Sequence, residues 1–186
     1  GDIFLLEKNF SGKIFDSSWG SLTEEGEEIG LKDAQGNIIE LFTYISSPNY
    51  SLERANPDLF EYSETNWKEH ENGNSAGFQN SNYVPPSKLT IPNEDASQKD
   101  EYPSNTTTQN ETRLFKAHDI VINEFASDPS DDEEEWIELF NTTSYDIDLS
   151  GWTIEEGSEK ITPLLGVIAP HNFLTLDKPN GSLNKS

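Results

Sequence analysis

Two runs decide the fold of this chain: Ile120-Val121-Ile122-Asn123-Glu124-Phe125 and Glu135-Trp136-Ile137-Glu138-Leu139-Phe140. Both are short, rich in β-branched and aromatic residues, and set apart by an acidic, turn-forming interval, which is the signature of strands rather than helices. In the second run Trp136, Glu138 and Phe140 share one face and Ile137 and Leu139 the other, so neither face is wholly apolar. It reads as a central strand with one polar side chain near a sheet end. Phe173-Leu174-Thr175-Leu176 is a third strand. Upstream, Ile29 to Asp33, a turn through Gly36-Asn37, and Ile38 to Tyr44 predict a hairpin. Phe4 to Lys8 and Lys13 to Asp16, around Asn9 to Gly12, predict another. Only Pro57 to Tyr62 and Asn66 to His70 suit a short helical turn. Many short strands without a long helical period imply an all-β sandwich or barrel.

The chain divides into three. Residues 1–83 and 118–186 carry strand-like patterning. Residues 84–117 are rich in Pro, Ser, Thr and Asn and poor in large apolar residues, so they cannot bury enough surface to offset their ordering entropy. They are expected to form a disordered or extended linker.

Bulk composition narrows the function. Among 186 residues, 12 Lys+Arg face 35 Asp+Glu, a formal charge of −23. That excess leaves no cationic surface to release phosphate counterions, and it disfavours docking on anionic membranes. Nucleic acid is therefore not an expected partner. No apolar run is long enough for a membrane helix, so membrane insertion is not expected either. With no Cys, disulfides, thiolate catalysis and Cys-based zinc sites are excluded. At 32% hydrophobic residues the core is small, but 4 Trp, 6 Tyr and 10 Phe set the chain apart from a disordered one.

The order of short motifs adds a family resemblance. Ile122-Asn123-Glu124, Glu135 to Asn141, and Ile147-Asp148-Leu149-Ser150-Gly151-Trp152-Thr153-Ile154 resemble the opening half of a lamin tail domain. Phe140 stands where that family commonly has Tyr. Gly20 to Asp33, Gly36 to Tyr44, Ser51-Leu52-Glu53-Arg54, Asn56-Pro57, Asn66-Trp67 and Ser75-Ala76-Gly77-Phe78-Gln79-Asn80 resemble its closing half, with Ser75-Ala76 in place of a usual Thr-Pro. The halves stand in reversed order. Phe173 to Lys178 echoes Phe4 to Lys8, and Gly181-Ser182-Leu183 echoes Gly20-Ser21-Leu22. The expectation is the C-terminal part of one copy (1–83) followed by the N-terminal part of the next (118–186). Such halves expose unpaired strand edges. One composite sandwich, joined through the Trp136 strand, is expected, with strand exchange or head-to-tail self-association between chains as the competing outcome.

The resemblance implies an immunoglobulin-like sandwich, of the prokaryotic secreted or surface type. Its function would be that of a non-catalytic interaction or anchoring module in a multidomain extracellular or cell-surface protein, with a protein or cell-envelope partner. The alternative is an accessory domain of a secreted hydrolase of nuclease or phosphatase type. A nuclear lamin tail fragment is disfavoured, because neither a coiled-coil rod nor a basic localisation run is present.

Candidate chemistry is sparse. Asp128, Asp131, Asp132 and Glu133 offer closely spaced hard oxygen ligands for Ca²⁺, without the spacing of an EF-hand loop. The competing reading is a solvated inter-strand loop. Glu24, Glu25, Glu27 and Glu28 read as an exposed strand face. His70, His118 and His171 have no ligand-like spacing and read as surface or turn residues. No nucleophile elbow, phosphate loop or dinucleotide fingerprint occurs, so no catalytic residue and no organic cofactor is expected. Trp19, Trp67, Trp136 and Trp152 read as core anchors, Trp152 plugging one sandwich end, with a binding surface as the alternative for Trp19 or Trp67.

Overall fold

The computed structural model describes residues 13–16, 22–23, 25–45, 49–59, 62–63, 65–84, 115–127, 135–157 and 160–177. Twelve strands run through them: β1 (Lys13–Asp16), β2 (Glu28–Lys32), β3 (Ile38–Thr43), β4 (Leu52–Arg54), β5 (Trp67–Glu69), β6 (Ile120–Ala126), β7 (Trp136–Asn141), β8 (Ile147–Asp148), β9 (Thr153–Glu156), β10 (Lys160–Pro163), β11 (Val167–Ile168) and β12 (Phe173–Asp177). No helix occurs among the described residues. Six strands form one sheet in the order β1-β12-β7-β6-β4-β5. Four form a second, β10-β9-β2-β3, and β11 pairs with β8 in a small third.

The core lies between the two larger sheets. Ile29, Leu31 and Phe42 of β2 and β3, with Ile154 of β9, meet Ile120, Ile122 and Phe125 of β6, Ile137 and Leu139 of β7, and Leu174 and Leu176 of β12. Alternation along each strand assigns these residues to the inner faces. Trp152 is fully buried at one end, edge-on to Phe115 with ring centroids 4.9 Å apart. Trp67 is buried within an aromatic group with Phe42, Tyr62 and Phe125, so it offers no binding surface. Trp136 is buried on the opposite face of the six-stranded sheet, against Ala76 and Ala126. Trp19 lies outside the described residues.

The two halves share one sandwich. β4 pairs antiparallel with β6, β2 pairs antiparallel with β9, and β1 pairs parallel with β12. The expected joint was the Trp136 strand, and that expectation is corrected. β7 is central, as anticipated, but its neighbours β6 and β12 both come from the second half. A strand flanked on both sides by its own half has no free edge left, so the joints fall to the strands around it.

The hairpin across Gly36 forms as expected, with a register shift between Leu31 and Lys32. Asp33 caps its turn, its carboxylate accepting from the backbone N–H groups of Gln35 and Asn37. Asn66 to His70 is not a helical turn: Trp67–Glu69 is an edge strand on β4, where pairing Trp67 opposite Arg54 buries the indole. Pro57-Asp58 is a turn, and the following residues are only partly described. Phe4 to Lys8, the first strand of the other expected hairpin, lies outside the described residues, while its second strand, Lys13–Asp16, is β1 and pairs with β12. Of the Glu24 to Glu28 run, Glu25 and Glu28 are exposed, while Glu27 folds back to accept from the Thr23 N–H at 2.8 Å.

Gly26 opens β2 at φ 89°, and a Cβ there would sit 2.3 Å from the Tyr44 carbonyl oxygen. Gly26→Ala should therefore destabilise by well over about 1 kcal/mol, since the positive φ and the backbone clash add. Urea unfolding of the variant checks this, and an unchanged midpoint would show that the β2 entry relaxes freely.

Candidate functional site

The outer face of the six-stranded sheet carries what sequence reading did not assemble. β6 is buried along all seven residues, because the segment from Gly73 to Val84 folds over that face. Beneath it lie Glu53 of β4, Glu124 of β6 and Glu138 of β7, each fully buried, with Asn80 and Asn123 between them. Glu138 was expected near a sheet end. It stands in the middle of β7 with no exposure at all.

A bulge creates this cluster. Ile122 pairs with Leu139 and Glu124 with Glu138, leaving Asn123 as an extra residue on β6. Alternation is broken there, and Asn123 and Glu124 both serve the same polar group. Asn123 Nδ2 donates to Glu138 Oε1 at 2.9 Å and to Asn80 Oδ1 at 2.7 Å. Gly77 N donates to Glu138 Oε2 at 2.5 Å. Glu124 accepts from Ser51 Oγ at 2.5 Å and from Ser75 N at 2.8 Å. Glu53 accepts from Ser81 and Asn82, through backbone and side chain in each case.

The electrostatics separate these carboxyls. Burial works against the charge of Glu53, but the donors on Ser75, Ser81 and Asn82 outweigh it and hold its carboxyl below the usual range. Burial pushes Glu124 up to about 7, with Glu53 adding repulsion against its Ser51 and Ser75 donors. Glu138 is pushed well above the usual range by burial and by Glu124. The geometry agrees. The single hydroxyl proton of Ser75 faces Glu53 Oε1 at 2.5 Å and Glu124 Oε2 at 2.8 Å. Both contacts are satisfied when Glu124 is protonated: it donates to Ser75 Oγ, which donates to Glu53.

A second polar group closes the inner face. Arg54 Nε donates to the Ile122 carbonyl at 2.9 Å, and Glu40 Oε2 accepts from the Ile122 N–H at 2.7 Å. Arg54 Nη2 and Glu40 Oε1 form a buried ion pair. The guanidinium lies 4.8 Å from the Trp67 ring. β4 pairs with β6 only through Leu52 and Glu53, so the ladder has stopped opposite Ile122. The ion pair takes the place of the missing backbone partners. Asn80 Nδ2 does the same for the carbonyls of Arg54 and Asn123, at 2.9 and 3.0 Å. Asn80→Ala would leave both carbonyls buried and unpaired. It should cost about 2–4 kcal/mol, which chemical denaturation can measure. A loss under about 0.5 kcal/mol, the size of an ordinary surface change, would show that other groups satisfy them.

These carboxyls are sealed inside, and every one is engaged by the protein's own donors. The arrangement can hold strands together and store a proton. It presents no carboxyl oxygen to a substrate. Among the described residues no group of three or more acidic or His side chains is placed to hold a metal ion. Asp128, Asp131, Asp132 and Glu133, the candidate Ca²⁺ ligands, lie outside the described residues, and no site is built on them. His118 and His171 occupy left-handed turn positions at φ 71° and 52°. The His118 N–H donates to the Ile39 carbonyl at 3.3 Å. His70 is half-buried, 3.9 Å from Glu53.

Most of these residues lie in the short motifs of the two halves. The signal was there: Asn123-Glu124 and Glu138 interrupt otherwise apolar strands, where a polar residue must find a partner.

Fold and polar cluster together define an all-β, immunoglobulin-like sandwich stitched across its two halves by buried carboxylates. Within it, residues 115–185 match the Lamin Tail Domain family. That stretch contains the opening-half motifs from Ile122 to Ile154, and the match does not extend to residues 1–83. Lamin tail domains have an immunoglobulin-like fold and mediate protein interactions. No curated protein and no solved structure matches the chain.

Proposed function

We propose that this chain is a non-catalytic interaction and anchoring module of a multidomain extracellular or cell-surface protein. The observation that carries the reading is the Lamin Tail Domain match over residues 115–185, a stretch whose strands β6 and β9 pair with β4 and β2 of the first half. The sealed carboxylate cluster supports it, since the acidic groups are committed to holding the halves together. The reversed order of the halves fits a piece of two successive copies, with the closing part of one and the opening part of the next combining in a single sandwich. Cross-linking on intact cells, with a reagent that does not enter them, tests the proposal. Recovery of this chain joined to a protein or envelope partner is the expected result. Failure to label it from outside would overturn the surface placement. Turnover of phosphate mono- or diesters by this chain alone would overturn the non-catalytic reading.

A further inference from the structure

The two broad faces of the sandwich are finished differently. The outer face of the six-stranded sheet is roofed by the segment from Gly73 to Val84, whereas the outer face of the four-stranded sheet carries exposed apolar side chains. Across its middle one register row runs Ile161, Glu155, Gly30, Leu41, one residue from each of β10, β9, β2 and β3. Ile161 is 59% exposed and Leu41 46%. Gly30 leaves the row without a side chain between Glu155 and Leu41, and a Cβ there would meet Leu41 Cδ1 at 3.1 Å. The result is a depression of about 400 Å³, flanked by Glu28, Lys32 and Glu155 as well as by the two apolar ends of the row. Lys32 is already tied to Glu155 at 2.5 Å. Among the described residues, Glu28, exposed on the same rim, is left as the charge facing outward, with exposed Glu25 shortly before it.

We propose that this depression docks a basic protein segment. The partner would place one large apolar side chain over Gly30, against Leu41 on one side and the Glu155–Lys32 pair and Ile161 on the other, with a neighbouring Lys or Arg reaching Glu28. The inference rests on the interaction-module reading and names the partner chemistry for one face of it. The volume lies at the small end of ordinary binding pockets and suits a single aromatic side chain. Charge complementarity selects the partner. A chain of net charge −23 steers cationic segments toward itself and repels a second copy, whose matching face would bring Glu28 against Glu28. The chain's own stretch from Asn93 to Glu101 carries Glu94, Asp95, Asp100 and Glu101 against Lys99, which is the wrong sign for this rim.

The test uses the whole chain and a defined probe, the amide of Lys-Lys-Trp-Lys-Lys, followed by amide chemical shifts. Saturable shifts centred on Gly30, Leu41, Glu155 and Ile161 are expected. Replacing the probe's Trp by Ala, or introducing Leu41→Lys with Ile161→Lys, should weaken binding by about tenfold or more, the scale of losing a buried aromatic anchor. Both substitutions are at exposed positions, and an unchanged amide spectrum elsewhere confirms the fold. Shifts spread over the acidic surface, with the Trp and Ala probes binding alike, would overturn the proposal. So would contacts in the free protein between Ile161 and the apolar Leu89 or Ile91 of its own linker, or dimerisation that protects Gly30. If cell-surface partners are still captured by the doubly substituted chain, this face fails while the module reading stands.

Discussion

Arg54→Met should be the most damaging single substitution in the sandwich, costing about 3–5 kcal/mol. Methionine fills much of the space beside Trp67 but removes every donor. Glu40 then keeps a buried charge without its counterion, and the carbonyls of Ile122 and Leu59 lose their Arg54 bonds. A small domain is stable by only about 5–15 kcal/mol, so the variant should be partly unfolded near physiological temperature. The pair can be separated from the packing. With Glu40→Leu as background, Arg54→Met should cost markedly less, because no orphaned carboxylate remains. Urea unfolding of the four proteins in this cycle measures the coupling. Equal costs in both backgrounds would mean that Arg54 acts through the carbonyls and the indole alone.

Stability should fall as pH rises through neutrality, the opposite of ordinary acid denaturation. Glu124 is pushed up to about 7 in the folded protein against an ordinary 4.5, and burial and Glu124 push Glu138 well above its ordinary value too. A folded state that holds protons which the unfolded chain has released loses stability with every increment of pH in that window. The contribution is therefore complete below pH 4.5 and declines as pH climbs through the folded-state values. At about 1.4 kcal/mol per pH unit, Glu124 alone accounts for a fall of about 3 kcal/mol between pH 4.5 and 7. Glu53 has the opposite sign: its lowered carboxyl stabilises above pH 4.5, and that contribution disappears on acidification below it. The two windows meet near pH 5, where stability should be greatest.

Glu124→Gln isolates one of the two contributions. The amide oxygen still accepts from Ser51 and Ser75, and the amide N–H₂ replaces the acid proton toward Ser75 Oγ. The variant should match the parent near pH 4.5, exceed its stability by about 1–3 kcal/mol at pH 8, and show a flatter profile. Repulsion among the exposed carboxylates adds a slope of the same sign, but high salt screens it and leaves the buried contribution in place. Thermal melts from pH 4 to 8 at low and high salt distinguish the two. A parent protein that gains stability from pH 5 to 8 would show that these carboxyls are ionised throughout, and a variant with an unchanged slope would show the same of Glu124.

Much of this was legible in the residues. Alternation in Ile29 to Tyr44 and in Ile120 to Phe140 announced strands, and Gly36-Asn37 announced the turn between β2 and β3. The order of Ile122-Asn123-Glu124, Glu135 to Asn141 and Asp148 to Trp152 pointed to the family that residues 115–185 match. Such readings succeed because strand pleat and turn geometry are local properties, written within a few residues.

The placement of Asn66 to His70 failed for the complementary reason. Its polar pattern suits a turn, and only pairing opposite β4 makes Trp67–Glu69 a strand. The carboxylate cluster was out of reach in the same way. Glu53, Glu124 and Glu138 lie up to 85 positions apart, and no local period links them. What unites them is one extra residue at Asn123, a ladder that ends at Glu53, and the segment from Gly73 to Val84 that covers the result. By itself the sequence determined an acidic, cysteine-free β-sandwich and the motifs from which it is made. Only the tertiary structure decided that the halves join through β4–β6, β2–β9 and β1–β12, and that the motif acids Glu53, Glu124 and Glu138 are buried together. Burial and pairing are properties of chain segments brought together, and the free energy of a buried carboxyl is set by neighbours that its own stretch of sequence does not contain.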